Sequence, residues 1–274
     1  YHRKPSWEEK ALFAAAKKQG YQARIFSVDE CFYELSGQNS IQDSVKFFFR
    51  GRKFPHCDAL IIRPSVISNG ESSCILVKAF EKSGVFVANR YESIIAAKNK
   101  LRTLQILNNH HLPVPKTIVL HSLQSFEHAV KRIGGFPVIV KTPFGTVGSG
   151  VLLAESRRSL FSILHLLWKN YTIHIALLQE FIQEAGDSDI RVFVVFGKVV
   201  ASMTRSAGRG DFRSNIGLGG TAAPVQLTRE EKSLAISAAK ALDLDIAGVD
   251  LIRSRRGPLV LEVNANPGFE GLQK

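Results

Sequence analysis

The segment IAGVDLIRSRRGPLVLEVNANPG, near the end of the chain, constrains the fold more than any other stretch. Two apolar runs separated by Arg255-Arg256-Gly257 read as the strands of an antiparallel hairpin. Residues i and i+2 of a strand point to the same side, so Glu262 and Asn264 leave one face of the second strand together. With the turn centred on Arg256, Asp250 falls directly opposite Glu262, and like charges facing each other across a ladder destabilise it. Apolar strands keep such a pair when a cation lies between them. Carboxylate and amide oxygens are the hard donors that Mg²⁺ or Mn²⁺ takes, with water and substrate phosphates filling the remaining positions. Asp250, Glu262 and Asn264 are therefore expected to hold metal. The other reading is a solvated hairpin end, and a slip of one residue would send Asp250 to the opposite face.

Phosphate binding needs more than metal. Lys141 ends the apolar run VIVK, and Gly145, Gly148 and Gly150 follow it within FGTVGSG. Glycines let backbone N–H groups approach an anion, and a lysine at the mouth of such a loop adds a point charge. The loop matches neither the Walker A pattern nor GxGxxG, and a plain hairpin turn is the alternative. Lys100 lies on an amphipathic helix, where a solvated lysine is the bland reading. Asp189 and Arg191 are spaced for one face of a strand, where a surface ion pair would suffice. Arg205, Arg209 and Arg213 lie in a segment read as flexible, able to clamp phosphate or to track a nucleic-acid backbone.

Along the chain, SWEEKALFAAAKKQG carries a capping box, Ser6 with Glu9, and a stop at Gly20. YQARIFSV, CDALIIRP and GVFVAN read as strands with a helix around Cys74–Ser83, an alternation that favours a parallel sheet. Because such a domain opens on a strand, part of it is expected to lie outside the sequence. Glu92 to Asn109 reads as one helix, and HHLPVPKT as an extended connector. The second half is richer in strands, with a hairpin split at Gly197-Lys198 and a second capping box at Thr228 and Glu231. Three domains are expected: 1–91, 92–175 and 176–274.

The net charge of +12 favours anionic partners without choosing among nucleotides, nucleic acid and acidic peptides. Three cysteines with no CxxC pair argue against a disulfide framework or a zinc site. No run approaches the roughly 20 apolar residues of a membrane span, so a soluble, cytoplasmic chain with no membrane partner is expected.

Taken together, KNKLRTLQIL, PVIVKTPFGTVGSGVLLAES, LLQEFIQEAGDSDIRVFVV, GRGDFRSN, LGG, AGVDLIRSRRGPLVLEVNANPG and FEGL resemble the ATP-grasp carboxylate–amine ligases, most closely the RimK family. They occur in the family's order from about Asn89 to Leu272. The resemblance implies a mixed α/β fold, ATP-grasp with a preceding Rossmann-like N-terminal α/β domain. It implies ATP as cofactor with Mg²⁺ or Mn²⁺, two ions, and ATP contacts from Lys100, Lys141, Gly145, Thr146, Gly148, Ser149, Gly150, Glu180, Phe181, Asp189, Arg191, Arg213 and Asn215. Lys141 and Arg213 would be catalytic, and Asp250, Glu262 and Asn264 would be the metal ligands, in agreement with the hairpin reading. The activity implied is amide-bond formation through an acyl phosphate, adding L-glutamate to the C-terminus of an acidic protein or peptide such as a small-subunit ribosomal protein. Carrier-protein or cofactor glutamate-tail ligases of the same fold are alternatives. A homo-oligomer is expected, and nucleic acid is not expected as substrate. The rival from another class is a non-catalytic, basic nucleic-acid-binding scaffold, carried by the net charge and the three arginines.

Overall fold

A computed structural model describes residues 4–36, 45–63, 74–145, 148, 150–170, 174–208, 210–214 and 219–269. The chain divides into two compact units, 1–94 with 266–274, and 95–265.

In the first unit, α1 (Trp7–Lys18) starts as its sequence requires. Ser6 Oγ accepts from the Glu9 N–H, and Glu9 Oε2 accepts from the Ser6 N–H at 2.6 Å. The run Tyr21–Val28, expected as a strand, is irregular and ends in a 3-10 turn. It forms no ladder, and Phe26 packs its ring on Phe49 and Phe54 at 4.9 and 4.5 Å. The first strands are β1 (Cys31–Leu35), β2 (Val45–Phe49) and β3 (Arg52–Lys53), an antiparallel meander that the expected alternation did not include. The alternation holds further on, where β4 (Ala59–Ile61), α2 (Ile75–Lys82) and β5 (Phe86–Ala88) form a βαβ unit with its strands parallel.

The expected helix over Glu92–Asn109 is two helices, α3 (Tyr91–Lys98) and α4 (Lys100–Asn109). Asn99 lies between them with extended φ and ψ, and its Oδ1 accepts from the N–H groups of Leu101 and Arg102. Asparagine favours this cap over helix continuation. Lys100 thereby becomes the first residue of α4, with its N–H bonded to Pro143 O at 2.8 Å.

The second unit holds two sheets. The four-stranded one runs β6 (Thr117–Leu120), β9 (Ala176–Glu180), β7 (Val138–Lys141), β8 (Val151–Ala154), all antiparallel. Val138, Val140, Ala176 and Leu178 leave one face to pack with α5 (Phe126–Ile133) and α6 (Arg157–Asn170) through Val130, Ile133, Leu160 and Leu164. Each valine, leucine or isoleucine among them contributes about 1.5–3 kcal/mol by leaving water. The alternate residues Ile139, Lys141 and Gln179 leave the other face. The second sheet runs β12 (Thr221–Pro224), β11 (Lys198–Ser206), β10 (Ser188–Val195), β13 (Ile246–Ser254), β14 (Gly257–Asn264), covered by α4 and α7 (Arg229–Ala241). The β10–β11 turn is Phe196-Gly197, one residue before the expected split, with positive φ at both positions as a two-residue hairpin turn requires.

Candidate functional site

The inner faces of both sheets line one cleft, within which Lys100, Lys141, Gly145, Gly148, Glu180, Phe181, Asp189, Arg191, Arg213, Asp250, Glu262 and Asn264 come together. These are twelve of the residues singled out from the sequence. Thr146, Ser149 and Asn215 lie outside the described residues, as does Arg209. Gly150 closes the glycine loop, its carbonyl accepting from the Thr142 N–H at 2.9 Å. A Cβ there would lie 2.1 Å from Thr142 Oγ1 at a φ of +75°, so the closure requires glycine.

Asp250 pairs with Glu262 across β13 and β14, as expected, though by a different route. The turn residues are Arg255 and Arg256, with Ser254 opposite Gly257, so the hairpin is centred half a residue earlier than Arg256. A bulge at Leu261 then restores the register, since Leu251 faces Val260 while Asp250 faces Glu262. Consecutive residues Leu261 and Glu262 both line the cleft.

Each of these carboxylates has cations of the chain's own beside it. Arg191, directly opposite Asp250, holds it bidentately, Nη2 to Oδ2 at 2.7 Å and Nε to Oδ1. Arg205 holds Asp189 at 2.8 and 2.6 Å and reaches Asp250 Oδ2 at 3.0 Å. Lys100 Nζ stands 3.5 Å from Glu262 and donates to Gly145 O at 2.9 Å. Like charges on facing strands therefore do not by themselves demand a metal, which corrects the reasoning from the hairpin alone. Asp189 and Arg191 do not pair with each other at a surface; each is bonded to a neighbouring strand. Arg205 is also corrected: it lies in β11, 5% exposed, and its guanidinium is taken by two carboxylates. It is thus withheld from a nucleic-acid backbone. Its role was legible only in part, because an arginine preceding a glycine-rich segment does not reveal its cross-strand partner, Asp189.

Burial pushes the Asp250 carboxyl up, but Arg191 and Arg205 outweigh it and hold the group below the usual carboxylate range. Asp189 goes the other way, raised by burial and by Asp250 against the pull of Arg205. Lys141 is lowered to about 8 by burial, with Glu262 opposing and Lys100 adding to the shift. Arg213 is bound to Asp211 at 2.8 Å and donates to Gly148 O at 3.3 Å, so it touches the glycine loop. The Glu180 carboxylate accepts from the Lys116 N–H at 2.6 Å and from Arg256.

Among the described residues no three His, Cys, Asp or Glu side chains form a metal cluster. The set that fits a hard divalent ion is Glu262, Asn264 and Asp250, by donor type and by opening on the cleft. Glu262 is the more open of the two carboxylates, its side chain 30% exposed, whereas both oxygens of Asp250 already accept from guanidinium groups. No helix among the described residues is long and apolar enough to cross a membrane.

The model of the RimK-like ATP-grasp domain matches residues 97–274. A probable alpha-L-glutamate ligase of Maridesulfovibrio salexigens is 40% identical over 266 residues, 96% of this chain and 85% of that protein. Among solved structures, a RimK domain protein ATP-grasp from Sphaerobacter thermophilus superimposes with a TM-score of 0.75 at 19% identity, covering 99% of this chain and 92% of that one. The ATP-grasp ligase PsnB, complexed with a variant of its minimal precursor, Mg and ADP, gives 0.74 at 18% identity, covering 99% and 90%. At those identities the structures speak for the fold.

Proposed function

The chain belongs to the RimK-like ATP-grasp family, a carbon–nitrogen ligase with ATP as its energy source, and from that premise we propose that it adds L-glutamate to the C-terminus of an acidic peptide or protein. The observation that carries this reading is the convergence, in one cleft, of two lysines, a glycine loop, Arg213 and the Asp250–Glu262–Asn264 set. A small-subunit ribosomal protein is one such acceptor, and a homo-oligomer acting in the cytoplasm is the corresponding setting. The net charge of +12 suits an acidic acceptor.

In the proposed reaction a substrate carboxylate attacks the γ-phosphorus of ATP, breaking its bond to the bridging oxygen and giving an acyl phosphate and ADP. The amine then attacks the acyl carbon, loses a proton and expels phosphate, leaving an amide. No protein nucleophile is needed. Lys100 and Lys141 would neutralise the phosphates, and Arg213 would meet charge on the transferred group. Asp250, Glu262 and Asn264 would hold Mg²⁺, which when bound screens the phosphate charge. The glycine loop, contacted by Lys100 at Gly145 and by Arg213 at Gly148, would exclude water that hydrolyses the intermediate. With its side chain held by Lys116 and Arg256 and its N–H bonded to Lys116 O, Glu180 would offer the nucleobase its main-chain carbonyl, beside Phe181.

The test is phosphate release from ATP and Mg²⁺ with glutamate, with and without a peptide ending in glutamates, while the peptide is weighed. Release coupled to a mass gain of glutamyl units supports the reading. Release with another amino acid or a non-peptide acceptor alone would replace it.

Lys141 adds a pH prediction. A lysine held at about 8 is raised again by a bound phosphate, so above that pH binding must take up a proton. Nucleotide affinity measured without divalent ions is expected to weaken as pH rises through about 8, approaching tenfold per pH unit. Lys141→Arg, protonated throughout, flattens the profile; an equally flat profile in the parent protein rules out this role.

A further inference from the structure

We propose that Gln179 selects adenine over a 6-oxopurine, its amide being oriented by Thr117 and Pro115. The inference rests on the reading of the cleft as a nucleotide site. Gln179 follows three apolar residues in the strand ALLQE, and it is only 2% exposed yet lines the cleft. It pairs with Thr117 on β6 and Ile139 on β7, so it sits in the floor of the cleft with strands on both sides.

Its orientation follows from a chain of single-valued donors and acceptors. The Pro115 carbonyl can only accept. Thr117 Oγ1 lies 2.9 Å from it and donates its one proton there. The Thr117 oxygen can then only accept from Gln179, and Gln179 Nε2 lies 2.9 Å away as the donor. The amide is thus set with its nitrogen toward β6 and its oxygen, Oε1, left over. Oε1 has no hydrogen-bond partner among the described residues. Oε1 is not among the fully enclosed atoms, so it opens on the cleft as an acceptor with no partner on the described protein. The reverse orientation would require Thr117 to donate to Oε1 and leave Pro115 O, presenting an N–H₂ to the cleft instead.

A 6-aminopurine supplies the missing donor, whereas hypoxanthine or guanine carries a carbonyl at position 6 and meets Oε1 with a second acceptor. ATP and inosine triphosphate share ribose and triphosphate, so those contacts cancel; ring N1 also differs, an acceptor in adenine and an N–H in hypoxanthine, so the role of Gln179 is read from the change in the ratio between parent and variants. The experiment measures kcat/KM for both nucleotides, and their protection of the protein against thermal unfolding, in the parent, Gln179→Met and Thr117→Val. The parent is expected to prefer ATP, and Gln179→Met to reduce the ATP-to-inosine-triphosphate ratio roughly tenfold, the value of one lost hydrogen bond to a buried partner. Thr117→Val keeps the glutamine but frees it to turn, and is expected to lower the ratio by raising use of inosine triphosphate. A purely structural glutamine would leave the ratio unchanged in both variants, and that result overturns the proposal. A parent that binds both nucleotides equally overturns it while leaving the nucleotide site intact; a parent that binds neither removes the premise as well.

Discussion

Glu262→Gln is expected to fold as the parent protein does and to release phosphate from ATP roughly a hundredfold more slowly. The side chain is 30% exposed, and its ion-pair partner is Lys100 at 3.5 Å. A pair this open contributes about 0–1 kcal/mol, and glutamine keeps the shape, so the midpoint of thermal unfolding should move by no more than about 4 °C. Turnover is another matter. Of the three oxygen donors expected to meet Mg²⁺, Glu262 is the carboxylate that no guanidinium holds, and neutralising it removes the negative charge beside Lys100. The Mg²⁺ concentration needed for half-maximal ADP binding, followed by thermal protection, should rise in parallel. Turnover within threefold of the parent would remove Glu262 from the machinery.

That prediction could be framed from the sequence because Asp250 and Glu262 are linked by a short hairpin, and a short hairpin leaves few registers. The register itself was reached through two compensating features. The turn sits at Arg255 and Arg256, and Leu261 is bulged; without the bulge Asp250 would face Leu261. Alternation along a strand reveals a face, but a bulge is set by packing against neighbouring strands and leaves no mark in the pattern. The same limit explains Arg205. Its partner Asp189 is on the next strand, and nothing short of the β10–β11 register joins them. The break at Asn99 was legible in principle, since asparagine before a run of helix formers is a cap signal, but the surrounding apolar spacing continued through it. Gln179 carried the same signal as Glu262, a polar residue inside an apolar strand, and its meaning depended on Thr117, which is far away in sequence and adjacent only through β6. The meander Cys31–Lys53 shows the opposite case, strands paired locally where the alternation had pointed to a parallel sheet.

Asp250→Asn is expected to lower stability by about 3–5 kcal/mol, and the unfolding midpoint by roughly 10 °C, in addition to abolishing turnover. Asp250 is 5% exposed and accepts from both Arg191 and Arg205, while Arg205 also holds Asp189. Two guanidinium groups and two carboxylates thus balance in a buried cluster. Asparagine fits the space but leaves one positive charge without its counterpart, and an uncompensated buried charge is what makes removing one partner so costly. The pH dependence distinguishes this from a packing defect. The folded-state pKa of Asp250 is depressed, so its contribution is fully present above the unfolded-state value of about 3.9 and is lost as pH falls through the folded one. The stability difference between parent and variant should therefore be largest near neutrality and shrink in acid. Adding Arg191→Met to Asp250→Asn restores the charge balance and is expected to recover more than half of the lost stability with no recovery of turnover. A difference that stays constant with pH, or a double variant as unstable as the single one, would mean that Asp250 supports the fold through its shape rather than its charge. The contrast with Glu262 is then the physical division of the hairpin: one carboxylate bound to arginines of β10 and β11, the other left open to the cleft.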